Sequence, residues 1–165
     1  MSVAMGLEPA PATLRRALGT FPTGVTALAS VVDGAPVGIA VNSFTSVSLD
    51  PPLVSVCVGN ASETWPRLRR APRIGVSVLS HRQQAVSRRL AARGTDRFAG
   101  LSWQPTEDGA VLLSHASAWF DCAVEREIPA GDHIIVLLSV LDLGIAPHNP
   151  PLVFHRSGYH RLTAA

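Results

Sequence analysis

The chain has little of several things, and each shortage excludes a class of protein. It carries only 2 cysteines in 165 residues. Cys57 and Cys122 form no CxxC pair and sit inside apolar stretches, where a free thiol behaves as a small buried hydrophobe. That usage fits a reducing cytoplasm, and with 6 dispersed His residues it gives no metal site. Charge of one sign is also scarce: the formal net charge is +2, and the basic residues are scattered apart from Arg67, Arg69, Arg70 and Arg73 around one short helix. Such a cluster reads as a solvated helix face rather than a nucleic-acid footprint. No basic segment leads into an apolar one at the N-terminus, and no run approaches the ~20 apolar residues that span a bilayer. The expectation is a soluble cytoplasmic protein without a membrane or nucleic-acid partner. Finally, no GxGxxG follows a strand and strands do not alternate regularly with helices, so a Rossmann dinucleotide site is not indicated.

Hydrophobic residues, by contrast, make up 47% of the chain, enough for one domain with a real core. Residues 1–12, with Pro9 and Pro11, read as a flexible lead, and residues 13–165 as the domain. The chain is organised around Val37 to Cys57, VGIAVNSFTSVSLDPPLVSVC. Here Asn42, Ser43, Thr45, Ser46 and Ser48 surround Phe44 between two apolar strands. An uncompensated buried hydroxyl or amide costs roughly 1–3 kcal/mol, so the run needs polar partners. Either neighbouring strand backbone supplies them, or the polar edge of a flat ligand whose ring Phe44 covers.

The stretch resembles the signature of the flavin reductase-like domain family. Further motifs follow in the family's order: FPTGV at Phe21 to Val25, ASETW at Ala61 to Trp65, DRFAG at Asp96 to Gly100, GDH at Gly131 to His133, and PLVFHRSGYHRL from Pro151. The resemblance covers nearly the whole chain. It implies a split β-barrel, mainly β, antiparallel and Greek-key-like, with a few appended short helices, pairing as a homodimer with flavin near the interface.

Taken in order, Thr13 is expected to cap a helix ending at Gly19. A strand from Val25 to Val32, covered on both faces, meets a hairpin turn at Asp33-Gly34, and the chain returns from Pro36. After the strand Leu53 to Val58 and Gly59-Asn60, Ser62 is a plausible N-cap with Glu63 and Thr64 in the first turn. The free N–H groups there either await a phosphate or are simply capped. Arg73 to Leu79 is a third strand, and Ser80 opens a helix with Gln83 at the capping-box position. That helix ends at Gly94 and brings Ala85, Leu90 and the stem of Arg89 together, while His81 lies at the surface. Leu90 stands where the family often has an aromatic. Arg89 and Arg97 are surface ion-pair residues or phosphate ligands, and Phe98 packs beneath its loop. Two long strands then flank Pro129-Ala130-Gly131, the second, HIIVLLSVL, reading as buried on both sides.

The resemblance further implies an NAD(P)H-dependent flavin reductase that passes a hydride from NADH or NADPH to FMN or FAD and supplies reduced flavin, by diffusion, to a partner monooxygenase. Carried onto this chain, it puts the flavin near Gly38, Ala40, Asn42, Ser43, Phe44, Thr45, Ser46, Ser48, Gly59, Asn60, Ser62, Thr64, Trp65, Arg89 and Arg97. Asn42, Ser43 and Thr45 would stabilise charge on the reduced ring, and Phe44 and Trp65 would shape its slot. His133, beside Asp132, falls on the nicotinamide side as the catalytic residue, although a His in a tight turn is also a common structural hydrogen-bonder. His155, Arg156 and Tyr159 fall on the dinucleotide side, Tyr159 alternatively closing the barrel as a core aromatic. Two other classes stay open: a flavin carrier without reductase turnover, and a pyridoxamine-phosphate oxidase-like enzyme.

Overall fold

The computed structural model describes residues 9–164. The expected lead lies mostly outside the described residues, and its last members are already helical. Helix α1 spans Pro11–Leu18, with Pro11 in its first turn, where a missing N–H costs nothing. Ala10 rather than Thr13 occupies the N-cap, and Gly19 closes the helix.

Short strand β1 (Thr23–Gly24) precedes β2 (Thr26–Val32), which pairs with β3 (Ala35–Val41). Asp33 and Gly34 both adopt positive φ, 52° and 78°, the geometry of a two-residue hairpin whose twist matches its strands. The hydroxyl-rich run becomes β4 (Thr45–Leu49), and β5 (Pro52–Gly59) returns beside it. Helix α2 (Trp65–Leu68), β6 (Ile74–Val78) and helix α3 (Gln84–Ala91) follow. Helix α3 begins later and ends earlier than the sequence implies. Ser80 accepts no helix, yet the Gln83 side chain accepts from the Ser80 N–H at 2.9 Å, one half of a capping box. Ala85 and Arg89 are exposed, and Ser87 and Leu90 form the buried face instead.

Strands β7 (Trp103–Pro105) and β8 (Val111–Leu113) are among those the sequence did not announce, their spans being too brief to show a period. Strands β9 (Ala118–Ala130) and β10 (His133–Ile145) form the long hairpin. Its turn is Gly131-Asp132; Pro129 and Ala130 remain in β9. In β10 only Val136 and Leu138 are fully buried, and Leu141, Leu143 and Ile145 are exposed, so this strand is not covered on both sides within one chain. Strand β11 (Leu152–His155) lies between β1 and β12 (Gly158–Arg161) and pairs with both.

Seven strands form the main antiparallel sheet in the order β3-β2-β6-β9-β10-β5-β4. Strands β3 and β4 are consecutive in the chain, joined only by Asn42, Ser43 and Phe44, yet they occupy opposite edges of that sheet. A connection so short forces the sheet to curl until its edges meet, leaving one seam without a continuous backbone ladder. This is the split barrel expected. One core cluster, with Leu28, Val56, Ile74 and Val136, lies on one face of the sheet. A second, with Ala27, Ala29, Leu90, Phe98 and Leu152, lies under α3 and the outer strands. Strand β2 is therefore buried on both faces, which explains its weak alternation.

Candidate functional site

The seam carries a groove. Its middle part, about 250 Å³, has one wall from Ile39, Ala40 and Val41 of β3 and another from Cys57, Val58 and Gly59 of β5. The loop Ala61 to Thr64 and the end of α3, with Ala91 and Arg93, complete it. A smaller hollow of about 160 Å³ continues past Ala40 and Val41 to Asn42, Phe154 and Tyr159. In the opposite direction a hollow of about 270 Å³ shares Thr64 and Arg97 with the middle part and reaches Ala35 and Asp96.

Ala40, Asn42, Gly59, Ser62, Thr64, Arg97 and Tyr159 are thus the expected residues that line these connected hollows at the β5 and β12 sides. Gly38 joins them only in the far hollow, and its main role is packing: a Cβ there would lie 2.8 Å from both the Leu28 carbonyl and the Phe98 ring. Ser62 accepts from the Trp65 N–H at 3.1 Å, so it caps α2 from a position ahead of Thr64, the residue that occupies the N-cap. Ser43 is satisfied within the sheet, donating to the Cys57 carbonyl and accepting from the Cys57 N–H at 3.0 and 2.8 Å. Thr45 and Ser46 lie exposed on edge strand β4 and Ser48 is half-buried there; none of the three lines the groove. Phe44 stacks on Phe120, ring centres 5.7 Å apart, under the seam.

Several side chains do something other than the sequence implies. Trp65 is 4% exposed, belongs to the core, and donates its indole N–H to Glu127 at 2.9 Å; it shapes no slot. Glu127 also pairs with Arg69 at 2.7 Å, and Arg73 pairs with Asp108 and Asp121, so half of the supposed solvated arginine face is engaged. Arg89 is exposed and donates to the Ala99 carbonyl, holding the DRFAG loop. Arg97 donates to the Ala92 carbonyl, the Gly38 carbonyl and Thr64 Oγ1 at 2.7, 3.0 and 2.8 Å. It therefore ties α3, β3 and the loop before α2 together, a bracing role in place of an ion pair. Arg156, at φ 48°, sits away from the groove with Arg15 and Arg16 around a separate cavity, and its N–H donates to the Gly19 carbonyl. His155 packs against His160, ring centres 5.8 Å apart. Tyr159 shares a 2.8 Å hydrogen bond with Ser87, packs on Phe154 and carries the Arg88 guanidinium 5.3 Å above its ring.

The GDH turn is held at the other side of β5. Asn60 donates its backbone N–H to the Asp132 carbonyl at 2.9 Å and its side-chain amide to the Gly131 carbonyl at 3.2 Å. His133 pairs with Gly59 across the strands, and its Nε2 lies 3.7 Å from where a Gly59 Cβ would be. His133 Nδ1–H donates to the Asp132 carboxylate at 2.7 Å, and that bond holds the Asp132 carboxyl below its ordinary value. The pair orients the ring and fixes its tautomer.

Sequence reading missed Arg93 and Ser87. Helical spacing from the buried Leu90 would have found Ser87, since positions three apart share a face, whereas Arg93 lies beyond the end of α3 and no helical period reaches it.

The site as a whole is an apolar-walled slot with hydroxyls and guanidinium groups toward one end, the chemistry of a flat ring carrying an anionic tail. A flavin fits that donor set. The comparisons agree with the class so defined. The family model described as the flavin reductase like domain matches residues 18–163. A flavin reductase from Pseudomonas putida is 41% identical over 150 residues, covering 90% of this chain and 88% of the relative. The reductase subunit of a flavin-dependent monooxygenase from Mycobacterium tuberculosis is 38% identical, covering 94% and 84%. Among solved structures, an NADH:FAD oxidoreductase from Streptomyces globisporus in complex with NAD and FAD fragments superimposes with a TM-score of 0.88 at 38% identity, covering 97% of this chain and 98% of that one. The chain belongs to the flavin reductase-like domain family. It is an oxidoreductase of the flavin reductase type.

Proposed function

We propose that the chain transfers a hydride from a reduced nicotinamide, NADH or NADPH, to FMN or FAD held in the seam groove, and that the reduced flavin serves a partner monooxygenase. A relative named as an NADH-dependent FAD reductase supports NADH as the donor, and relatives named as monooxygenase reductase subunits support the partner. The observation that carries the reading is the groove itself, apolar along β3 and β5 and bordered by the Asp132–His133 pair over Gly59.

The flavin, when bound, supplies the hydride-accepting ring, and the redox chemistry is its own. The residues position and polarise. Ala40, Val41 and Val58 offer apolar wall, Asn42 and Tyr159 polar groups beside the small hollow, and Ser62, Thr64 and Arg93 a setting for phosphate. His133, oriented by Asp132, faces the nicotinamide side. The exposed apolar side chains of β10 together with Leu49 of β4 support a homodimer, and reduced flavin would leave by diffusion. Among the described residues no helix is long and apolar enough to cross a membrane. The free thiols Cys57 and Cys122 support a cytoplasmic location.

The test is anaerobic stopped-flow absorbance at the oxidised flavin band after mixing protein and flavin with NADH or NADPH. Fast bleaching, slowed in His133→Ala, is the expected result. Flavin that binds and stays oxidised with both nucleotides refutes reductase turnover and leaves a carrier.

A further inference from the structure

The three hollows follow a single strand. The small hollow begins at Asn42 just beyond β3, the middle one takes Ile39 to Val41, and the far one takes Ala35 to Gly38. Seven residue steps of extended chain at about 3.3 Å each give a groove about 23 Å long. Shared lining makes it continuous: Ala40, Val41 and Ala91 join the first two hollows, and Thr64 and Arg97 join the last two. We infer that this groove is built for a dinucleotide, so that the chain takes FAD in preference to FMN, with the adenosine half in the far hollow beside Arg67, Thr95 and Asp96. The inference rests on the flavin-site reading above.

Polarity along the groove sets the direction. The small hollow has Phe154, Tyr159 and Val25 and no guanidinium, which suits the ring system. The middle has Ser62, Thr64 and Arg93, with Glu63 as its one carboxylate, which suits the phosphates. A mononucleotide would end there and leave the far hollow to water. That far hollow is furnished for more. Among the described residues Arg67 has no carboxylate within ion-pair distance, unlike Arg69 and Arg73 further along the chain. A planar guanidinium without an ion-pair partner is free to stack on a purine face. Asp96 uses one carboxylate oxygen to accept from the Phe98 and Ala99 N–H groups at 3.0 and 3.2 Å. Its other oxygen has no hydrogen-bond partner among the described residues and suits a ribose hydroxyl or the adenine amino group. Arg97 is not part of that recognition; its bonds are made to the protein, and it fixes the neck between the middle and far hollows.

The experiment is calorimetric titration of the flavin-free full chain with FAD, FMN and AMP, with no turnover involved. FAD is expected to bind at least about tenfold more tightly than FMN, a difference of about 1.4 kcal/mol. AMP, the half of FAD that FMN lacks, should compete with FAD and leave FMN binding unaffected. Arg67→Ala, and separately Thr95→Trp to fill the far hollow, should bring FAD to within about threefold of FMN while FMN affinity holds. Both positions are exposed, and unchanged melting temperatures would show that the variants fold. Equal FAD and FMN affinities in the natural chain, or variants that weaken both flavins alike, would overturn the inference and spare the flavin site. Failure of both flavins to bind the natural chain would overturn the flavin-site reading itself, and this inference with it.

Discussion

Arg97 offers the sharpest division between a bracing residue and a phosphate ligand, because the two roles predict opposite outcomes for Arg97→Ala. Its guanidinium makes three hydrogen bonds, to Ala92, Gly38 and Thr64, that join three separate elements. A hydrogen bond to a charged group is worth roughly 1.5–3 kcal/mol. The side chain is only half-buried, and water can reach the abandoned carbonyls through the groove, so the three do not add fully. A loss of about 2–4 kcal/mol is expected for the set. For a domain of this size each kcal/mol moves the melting temperature by about 2–4 °C, so the transition should fall by roughly 5–15 °C. Differential scanning calorimetry of the flavin-free chain reads this directly, and Arg97→Lys should recover only part of it, since an ammonium cannot reproduce the planar fork. Flavin affinity should fall less than the stability does. A variant that melts within about 1 °C of the natural chain yet loses flavin binding about a hundredfold would refute the bracing role and restore Arg97 as a phosphate ligand.

Two further outcomes follow from the titrating groups. The Asp132 carboxyl is held low by its bond to His133, so the contact is fully present above the ordinary carboxylate value of about 4 and is lost as the pH falls through the lowered value in the folded chain. The melting temperature of the natural chain should therefore exceed that of Asp132→Ala near pH 5 and converge with it in stronger acid; a margin that persists unchanged well below the ordinary carboxylate value would contradict the pairing. Cys122 is buried in β9, and burial, with the Asp121 charge beside it, pushes its thiol up to about 12. It should resist alkylation at pH 8 in the folded chain and react on unfolding, which mass spectrometry of iodoacetamide-treated protein will show; prompt labelling of Cys122 under native conditions would mean that β9 opens locally.

The architecture was legible where local rules decide it. Asp33-Gly34 demands positive φ and makes its hairpin, and the ordered motifs carried the barrel. The site was legible as a region and less so as a set of roles. The hydroxyl run was read as costly on the premise that it was buried, but β4 is an edge strand, so Thr45 and Ser46 meet water and Ser43 alone needs a partner, which Cys57 provides. Strand order is a long-range property that no local pattern reveals. Arginine roles were obscured for a related reason: the spacing of Arg89 and Arg97 says nothing about whether a guanidinium turns to a ligand or to backbone carbonyls on other elements. Trp65 followed the ASETW motif onto the expected helix, and only the packing of α2 against the sheet put its ring in the core.

The three residues joining β3 to β4 have one more implication, for how such a protein can change over generations. Asn42 borders the site while Ser43 and Phe44 beside it fasten the two edges of the sheet, so a substitution in this tripeptide alters the closure of the barrel together with whatever it alters in recognition. The opposite end of β3 is under no such double obligation. Beyond it lies only the Asp33-Gly34 turn, whose positive φ constrains those two residues but which lies at the far end of β3 from the seam's tripeptide. New ligand preferences should accordingly accumulate around Ala35 and the loops facing it, while the tripeptide stays conservative.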